Sequence, residues 1–120
     1  MKIYYYNHHI ILICSSLVPA RSPDNVTASA SSSTTIEVTW DIVPPIHQNG
    51  IITMYEVLYQ PLETFDGAIV TQTMNVTEMS ANLIDLEEFV NYNISVRAYT
   101  SEGPGPYSEE VTVMTQEDSK

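Results

Sequence analysis

A catalytic site in this 120-residue chain would have to draw on one cysteine, three histidines and 15 acidic side chains. A nucleophilic mechanism needs a cysteine or serine beside a histidine base, with a carboxylate to orient that base. Cys14, His8 and His9 all stand within the first 20 residues, which differ in character from the rest. His47 is the histidine of the body. It sits in a turn-rich stretch beside prolines and Gln48, with no nucleophile in sight for it to activate. No catalytic residue is assigned. A zinc site needs clustered ligands, and the adjacent His8 and His9 have no third. The acids Glu87-Glu88 and Glu109-Glu110, and the Asp66-Gly67 turn, lack the spaced pattern of a calcium loop. They read as a solvated acidic surface. Paired carboxylates for glycoside hydrolysis would need a cleft that a filled domain of this size does not offer. No metal and no cofactor is expected, and one cysteine excludes an internal disulfide.

The chain does carry three glycosylation acceptors: Asn25-Val26-Thr27, Asn75-Val76-Thr77 and Asn93-Ile94-Ser95. Acceptors must be exposed. Asn93 alternates with Tyr92 and Ile94, which read as inward, so its side chain is expected to face solvent; Asn25 precedes an inward Val26. A secretory context would suit them. Within Met1–Ala20 the apolar run Ile10–Val18 is far short of the ~20 residues that span a bilayer, but it has the length of a signal h-region. Val18-Pro19-Ala20 then puts small residues where a cut after Ala20 would need them. The same 20 residues also read as an unstructured extension with no role in the fold. Both readings stay open.

The net charge of -11 has the wrong sign for holding nucleic-acid phosphates. Hydrophobic residues make up 43%, enough for a globular core in spite of the acidity.

The elements that must position any site are strands. Ile36, Val38 and Trp40 alternate with Glu37, Thr39 and Asp41, the period-two pattern of a half-buried strand. Val26–Ala30 alternates in the same way. Pro44-Pro45 breaks regular structure, and Asn49-Gly50 signals a turn. A strand over about Ile52–Gln60 places Tyr55, Val57 and Tyr59 on one face and Glu56 and Leu58 on the other. Further strands are expected over Ile69–Val76, Ala81–Leu86, Tyr92–Tyr99 and from Val111. About seven short strands without helical periodicity imply an all-β, seven-stranded antiparallel two-sheet sandwich. The domain is placed at residues 21–116, with 117–120 a frayed tail.

These residues, taken in order, resemble the fibronectin type III family. Ile36-x-Val38-x-Trp40 is similar to its second strand with the core tryptophan. Pro44-Pro45, then Asn49-Gly50-x-Ile52-x-x-Tyr55-x-Val57-x-Tyr59, is similar to its loop and third strand. Leu83-x-x-Leu86, Phe89 and Tyr92-x-Ile94-x-Val96-x-Ala98 resemble the fifth strand, turn and sixth strand. Gly103-Pro104-Gly105-Pro106-Tyr107-Ser108 and Thr115 resemble the last hairpin. Met54 and Glu88 depart from common glycine and proline positions. The resemblance covers about Pro23–Thr115 and implies an immunoglobulin-like sandwich with Trp40, Tyr55, Leu86 and Tyr92 in the core. Tyr92, six residues after Leu86, is placed for a tyrosine corner, its hydroxyl returning to upstream backbone.

The resemblance also implies a non-catalytic protein-interaction or spacer module, as in adhesion receptors and receptor-type phosphatases. An intracellular structural module, as in giant muscle proteins, is the alternative. The sequons and the leader-like segment favour the first, secreted or as the extracellular part of a longer membrane receptor. Its partner would be a protein, not nucleic acid, and nothing in the body inserts in a membrane. The candidate binding loops are His47, Gln48, Asn49 and Gly50, and Ser101, Glu102 and Gly103. Some family members carry an Arg-Gly-Asp motif in the second loop, and this chain does not. Outward Leu58, Arg97 and Tyr99 form a further candidate patch.

Overall fold

Alternating β-branched and aromatic residues become paired strands in the computed structural model, which describes residues 2–13, 17–63 and 67–118. The strands are β1 (Lys2–Tyr6), β2 (His9–Ile13), β3 (Asp24–Ala30), β4 (Ile36–Asp41), β5 (Met54–Pro61), β6 (Gln72–Val76), β7 (Ser80–Leu83), β8 (Asn91–Thr100), β9 (Gly103–Pro104) and β10 (Val111–Met114). One sheet has the order β3-β4-β7. The other has the order β10-β8-β5-β6, with the two-residue β9 also on β8. All pairs are antiparallel. The two sheets share one apolar core, so the expected sandwich is present, with β9 as a strand beyond the seven.

The phase of each strand decides what it buries. Ile36, Val38 and Trp40 of β4 are buried, as are Tyr55, Val57 and Tyr59 of β5 and Ile94, Val96 and Ala98 of β8. The Trp40 and Tyr55 rings meet edge to face, 5.5 Å between centroids at 61°, a favoured aromatic geometry. The indole N–H of Trp40 has no acceptor among the described residues, so this ring contributes through area rather than hydrogen bonding.

Several boundaries differ from the sequence reading. Ile69 and Val70 do not extend β6 and are exposed. The β5–β6 ladder runs from Tyr55–Val76 to Tyr59–Gln72. Pro61 has no N–H to continue it, so alternation alone overstates the strand. Pro44-Pro45 does not simply break structure: Pro45–His47 forms a 3₁₀ turn with Pro45 at its first position. β3 begins at Asp24 rather than Val26, and a bulge between Asp24 and Thr27 accompanies a left-handed Asn25, φ 52°. The Asp66 half of the Asp66-Gly67 turn, like Cys14, lies outside the described residues.

The first 20 residues also differ from an unstructured extension. Lys2–Tyr6 and His9–Ile13 pair as a hairpin through left-handed Asn7 and His8. Leu17–Ala20 packs on the sandwich, with Pro19 fully buried. At the other end Gln116 is tied in, its amide donating to Ser32 O at 3.2 Å and its side chain to Ala30 O at 3.1 Å.

Tyr92 closes the loop between β7 and β8. Its hydroxyl accepts the Glu87 backbone N–H at 2.8 Å. The upstream partner is therefore a donor, where a backbone acceptor would be the usual assumption. Thr115, buried beside it, donates from Oγ1 to Glu87 O at 2.7 Å and accepts from Val90 N–H at 3.0 Å.

Candidate recognition surfaces

The two candidate loops come together at one end of the sandwich. The first connects β4 to β5. Pro44 and Pro45 start its turn, and Gln48 Nε2 donates back to Val43 O at 2.9 Å. Asn49 and Gly50 both take positive φ, 55° and 153°, which explains the Asn-Gly pair. The second loop turns at Ser101-Glu102, with the Glu102 N–H on Thr100 Oγ1 at 3.3 Å. A Cβ on Gly50 would lie 3.3 Å from Thr100 Cγ2, so the loops touch at their roots. Their tips are open: Asn49, Gly50, Ser101 and Glu102 are exposed, whereas His47, Gln48 and Gly103 are half-buried. Ile46 and Ile51, which the sequence reading did not single out, are 83% and 85% exposed beside them.

The second surface is the outer face of the five-stranded sheet. Register places Glu56 opposite Arg97, and Met54 opposite Tyr99. Glu56 is outward, as expected, yet only 8% exposed. Arg97 reaches its Oε1 with Nε at 3.1 Å and Nη2 at 3.0 Å. The Tyr99 hydroxyl donates to its Oε2 at 2.9 Å, and the Tyr107 hydroxyl donates to Oε1. The guanidinium carbon lies 4.3 Å from the Tyr107 ring centroid and 5.3 Å from that of Tyr99. Tyr107 is delivered by the stretch between β9 and β10. Ser108 anchors that stretch by exchanging two hydrogen bonds with Val96, N–H to O at 2.8 Å and N–H to Oγ at 2.9 Å.

This cluster favours a charged carboxylate and neutral phenols. Burial works against the Glu56 charge. The hydrogen bonds from Tyr107 and Tyr99, with the Arg97 charge, outweigh it and hold the carboxyl below its usual range. Burial, then the Glu56 hydrogen bond and charge, pushes the Tyr107 phenol up to about 12. The Glu56 hydrogen bond, with some burial, raises Tyr99 as well. A carboxylate engaged by this many donors fastens the sheet. Arg97 and Tyr99 of the expected patch are thus committed to a network that includes Glu56 and Tyr107, which the sequence reading did not place there.

The sequons are less uniform than their phases suggest. Asn75 is exposed on edge strand β6, and its side chain makes no hydrogen bond among the described residues. Asn25 is exposed but donates to Asp41 Oδ2 at 2.7 Å. Asn93 is half-buried, donating to Glu110 Oε2 at 3.0 Å and accepting from Thr112 Oγ1 at 2.6 Å. Among the described residues no group of three or more His, Cys, Asp or Glu side chains could hold a metal ion. No helix among them is long and apolar enough to cross a membrane.

A three-stranded and a five-stranded antiparallel sheet around a buried tryptophan, pinned by a tyrosine corner, define an immunoglobulin-like module. The chain belongs to the fibronectin type III family, whose domain model matches residues 21–114. It is 39% identical over 101 residues to receptor-type tyrosine-protein phosphatase F of Bos taurus, covering 83% of this chain and 5% of that protein. It is 35% identical over 102 residues to the cell adhesion molecule DSCAM of Gallus gallus, covering 84% of this chain and 5% of that one. The chain thus spans about 5% of the length of these curated relatives. Among solved structures it is similar to the third fibronectin III domain of the human KIAA0343 protein. That match has a TM-score of 0.77 and 26% identity over 92% of this chain and 93% of that one.

Proposed function

We propose that the chain is an extracellular, non-catalytic module of a longer cell-surface receptor, acting by protein recognition or by spacing its neighbours. The observation that carries this reading is the similarity, over more than four-fifths of the chain, to single-module lengths of a receptor-type phosphatase and an adhesion molecule. The site chemistry supports it. Glu56, a buried acid among the described residues, is spent on fastening the sheet, and the loop tips expose large apolar side chains. Recognition would use those tips, Ile46, Asn49, Gly50, Ile51, Ser101 and Glu102. A lone exposed isoleucine is ordinary, but two in one loop beside a second loop are a candidate contact surface.

Exposure on the secretory route would be recorded at the sequons. Asn75 is the site best suited to hold a glycan, because its amide gives up no hydrogen bond and its strand edge faces solvent. Asn25 and Asn93 would each surrender part of a side-chain interaction. The experiment is site mapping on the natural protein, immunopurified from its own cells and treated with peptide N-glycosidase. The expected result is conversion of Asn75 to aspartate on glycan release. Protein recovered from the cytosol with Asn25, Asn75 and Asn93 all unmodified would overturn the reading in favour of an intracellular structural module.

A further inference from the structure

The family match begins at residue 21, and the sequence reading sets Met1–Ala20 apart from the domain. The contacts of Leu17–Ala20 cross that boundary. Thr100 Oγ1, at the end of β8, donates to Leu17 O at 2.7 Å. Asn49 Nδ2, in the β4–β5 loop, donates to Val18 O at 3.0 Å. The Ala20 N–H donates to His47 O at 2.8 Å in the same loop. Between these polar ties Pro19 is fully buried, while its neighbours Leu17 and Ala20 are exposed. Leu17, Val18 and Ala20 therefore bond to the β4–β5 loop and to the end of β8, and the Pro19 ring in the same run is buried.

Gly105 explains how the ring fits. A Cβ on Gly105 would stand 2.7 Å from Pro19 Cβ and 2.7 Å from Pro19 O, closer than real Cβ atoms come. Gly50, Gly67 and Gly103 are the glycines with positive φ, and Gly105 is not among them. Its backbone is open to any residue, so glycine is required here for close approach and not for conformation. Gly103 helps from the side, its Cβ position lying 3.3 Å from Val18 Cγ1.

We propose that Leu17–Ala20 is a strap belonging to the domain, seated on Gly105, that clamps the β4–β5 loop to the β8–β9 turn. The strap fixes the separation between the tips that carry Ile46 and Ile51 and the tip that carries Ser101 and Glu102. It also extends the chain packed on the sandwich from Arg21 back to Leu17. Val18-Pro19-Ala20 thus has a packing role that accounts for the small residues otherwise read as a cleavage signal. A chain cut after Ala20 would lose the buried ring and the bonds to Asn49, His47 and Thr100. The inference rests on contacts within the chain and holds whatever the loop tips bind.

Amide hydrogen exchange on the full chain tests it. The Ala20 amide, bonded to His47 O, should exchange at least about tenfold more slowly than an unstructured peptide amide, as bonded amides in cooperative structure do. Gly105→Ala should abolish that protection while the amides of Val57 and Ile94 stay protected. Thr100→Val, which removes the Leu17 tie and the acceptor of the Glu102 N–H without added bulk, should weaken it. Unprotected Ala20 in the wild type would overturn the strap. Protection that survives Gly105→Ala would overturn the seat. If Gly105→Ala loses the core amides too, the wild-type and Thr100→Val measurements decide: protection reduced in the variant supports the strap, and equal protection overturns it.

Discussion

Glu56→Gln isolates what the outer-face network contributes. The substitution keeps the shape of the side chain and one acceptor oxygen, but removes the charge that Arg97, Tyr99 and Tyr107 address. Breaking a buried ion pair by deleting one partner costs about 3–5 kcal/mol, because the other charge is stranded. Arg97 keeps 25% of its side chain exposed against 11% for Glu56, so the stranded guanidinium can still turn partly to water. The expected loss at neutral pH is therefore about 2 kcal/mol, read as a fall in urea midpoint with an unchanged slope. The pH dependence follows from the carboxyl's depressed value in the fold. A group whose pKa falls on folding stabilises above its unfolded value, ~4.3 for glutamate, and loses that contribution as pH drops through the folded value. The gap between wild type and Glu56→Gln should be full above about pH 5 and narrow steadily below about pH 4. A gap under about 0.5 kcal/mol at pH 7, the range of an ordinary surface substitution, would refute the reasoning. A gap of constant size down to about pH 3 would refute its electrostatic part.

Trp40→Ala should cost about 3–5 kcal/mol in chemical denaturation, since it empties a site 4% exposed against Tyr55; a loss below about 1 kcal/mol would take Trp40 out of the core. Tyr92→Phe should cost about 1–2 kcal/mol by leaving the Glu87 N–H without its acceptor, and an unchanged midpoint would deny the tyrosine corner. Tyr107, raised to about 12, stabilises below the unfolded phenol value of ~10 and stops doing so as pH rises through the folded one. Ultraviolet difference titration of wild type against Tyr107→Phe should show its phenolate forming late, and ionisation near pH ~10 would contradict the Glu56 contact.

The legible part of the fold was the part written in period two. Alternation in Ile36–Asp41 and Tyr92–Tyr99 assigned the inward face residue by residue, and Trp40, Tyr55, Leu86 and Tyr92 are buried. Alternation is blind to partners. It gave Ile69 and Val70 a strand because nothing in their own residues records that Pro61, opposite, has no N–H to offer. It put Glu56 on the outer face but could not show that Tyr107, from a stretch between two later strands, would fold over it. The faint signal was Arg97, one of four basic residues in the chain and in outward phase on β8, which begs a carboxylate. The strap was hidden more deeply. Small residues at Val18-Pro19-Ala20 suit a peptidase and a tight packing site equally well, and Gly105, against which Pro19 packs, lies at the far end of the chain. The loops themselves were marked by Pro44-Pro45 and Asn49-Gly50, whose turn chemistry is local, whereas the exposure of Ile46 and Ile51 depends on which side of those turns faces the sandwich.

The central claim is that this module stands outside the cell as part of a receptor. The most direct measurement is antibody labelling of cells that express the natural gene, with the antibody raised against the folded domain. Labelling of intact, unpermeabilised cells is the predicted result, and it should be lost after brief surface proteolysis. Labelling that appears only after permeabilisation would contradict the claim and return the domain to a structural role inside the cell.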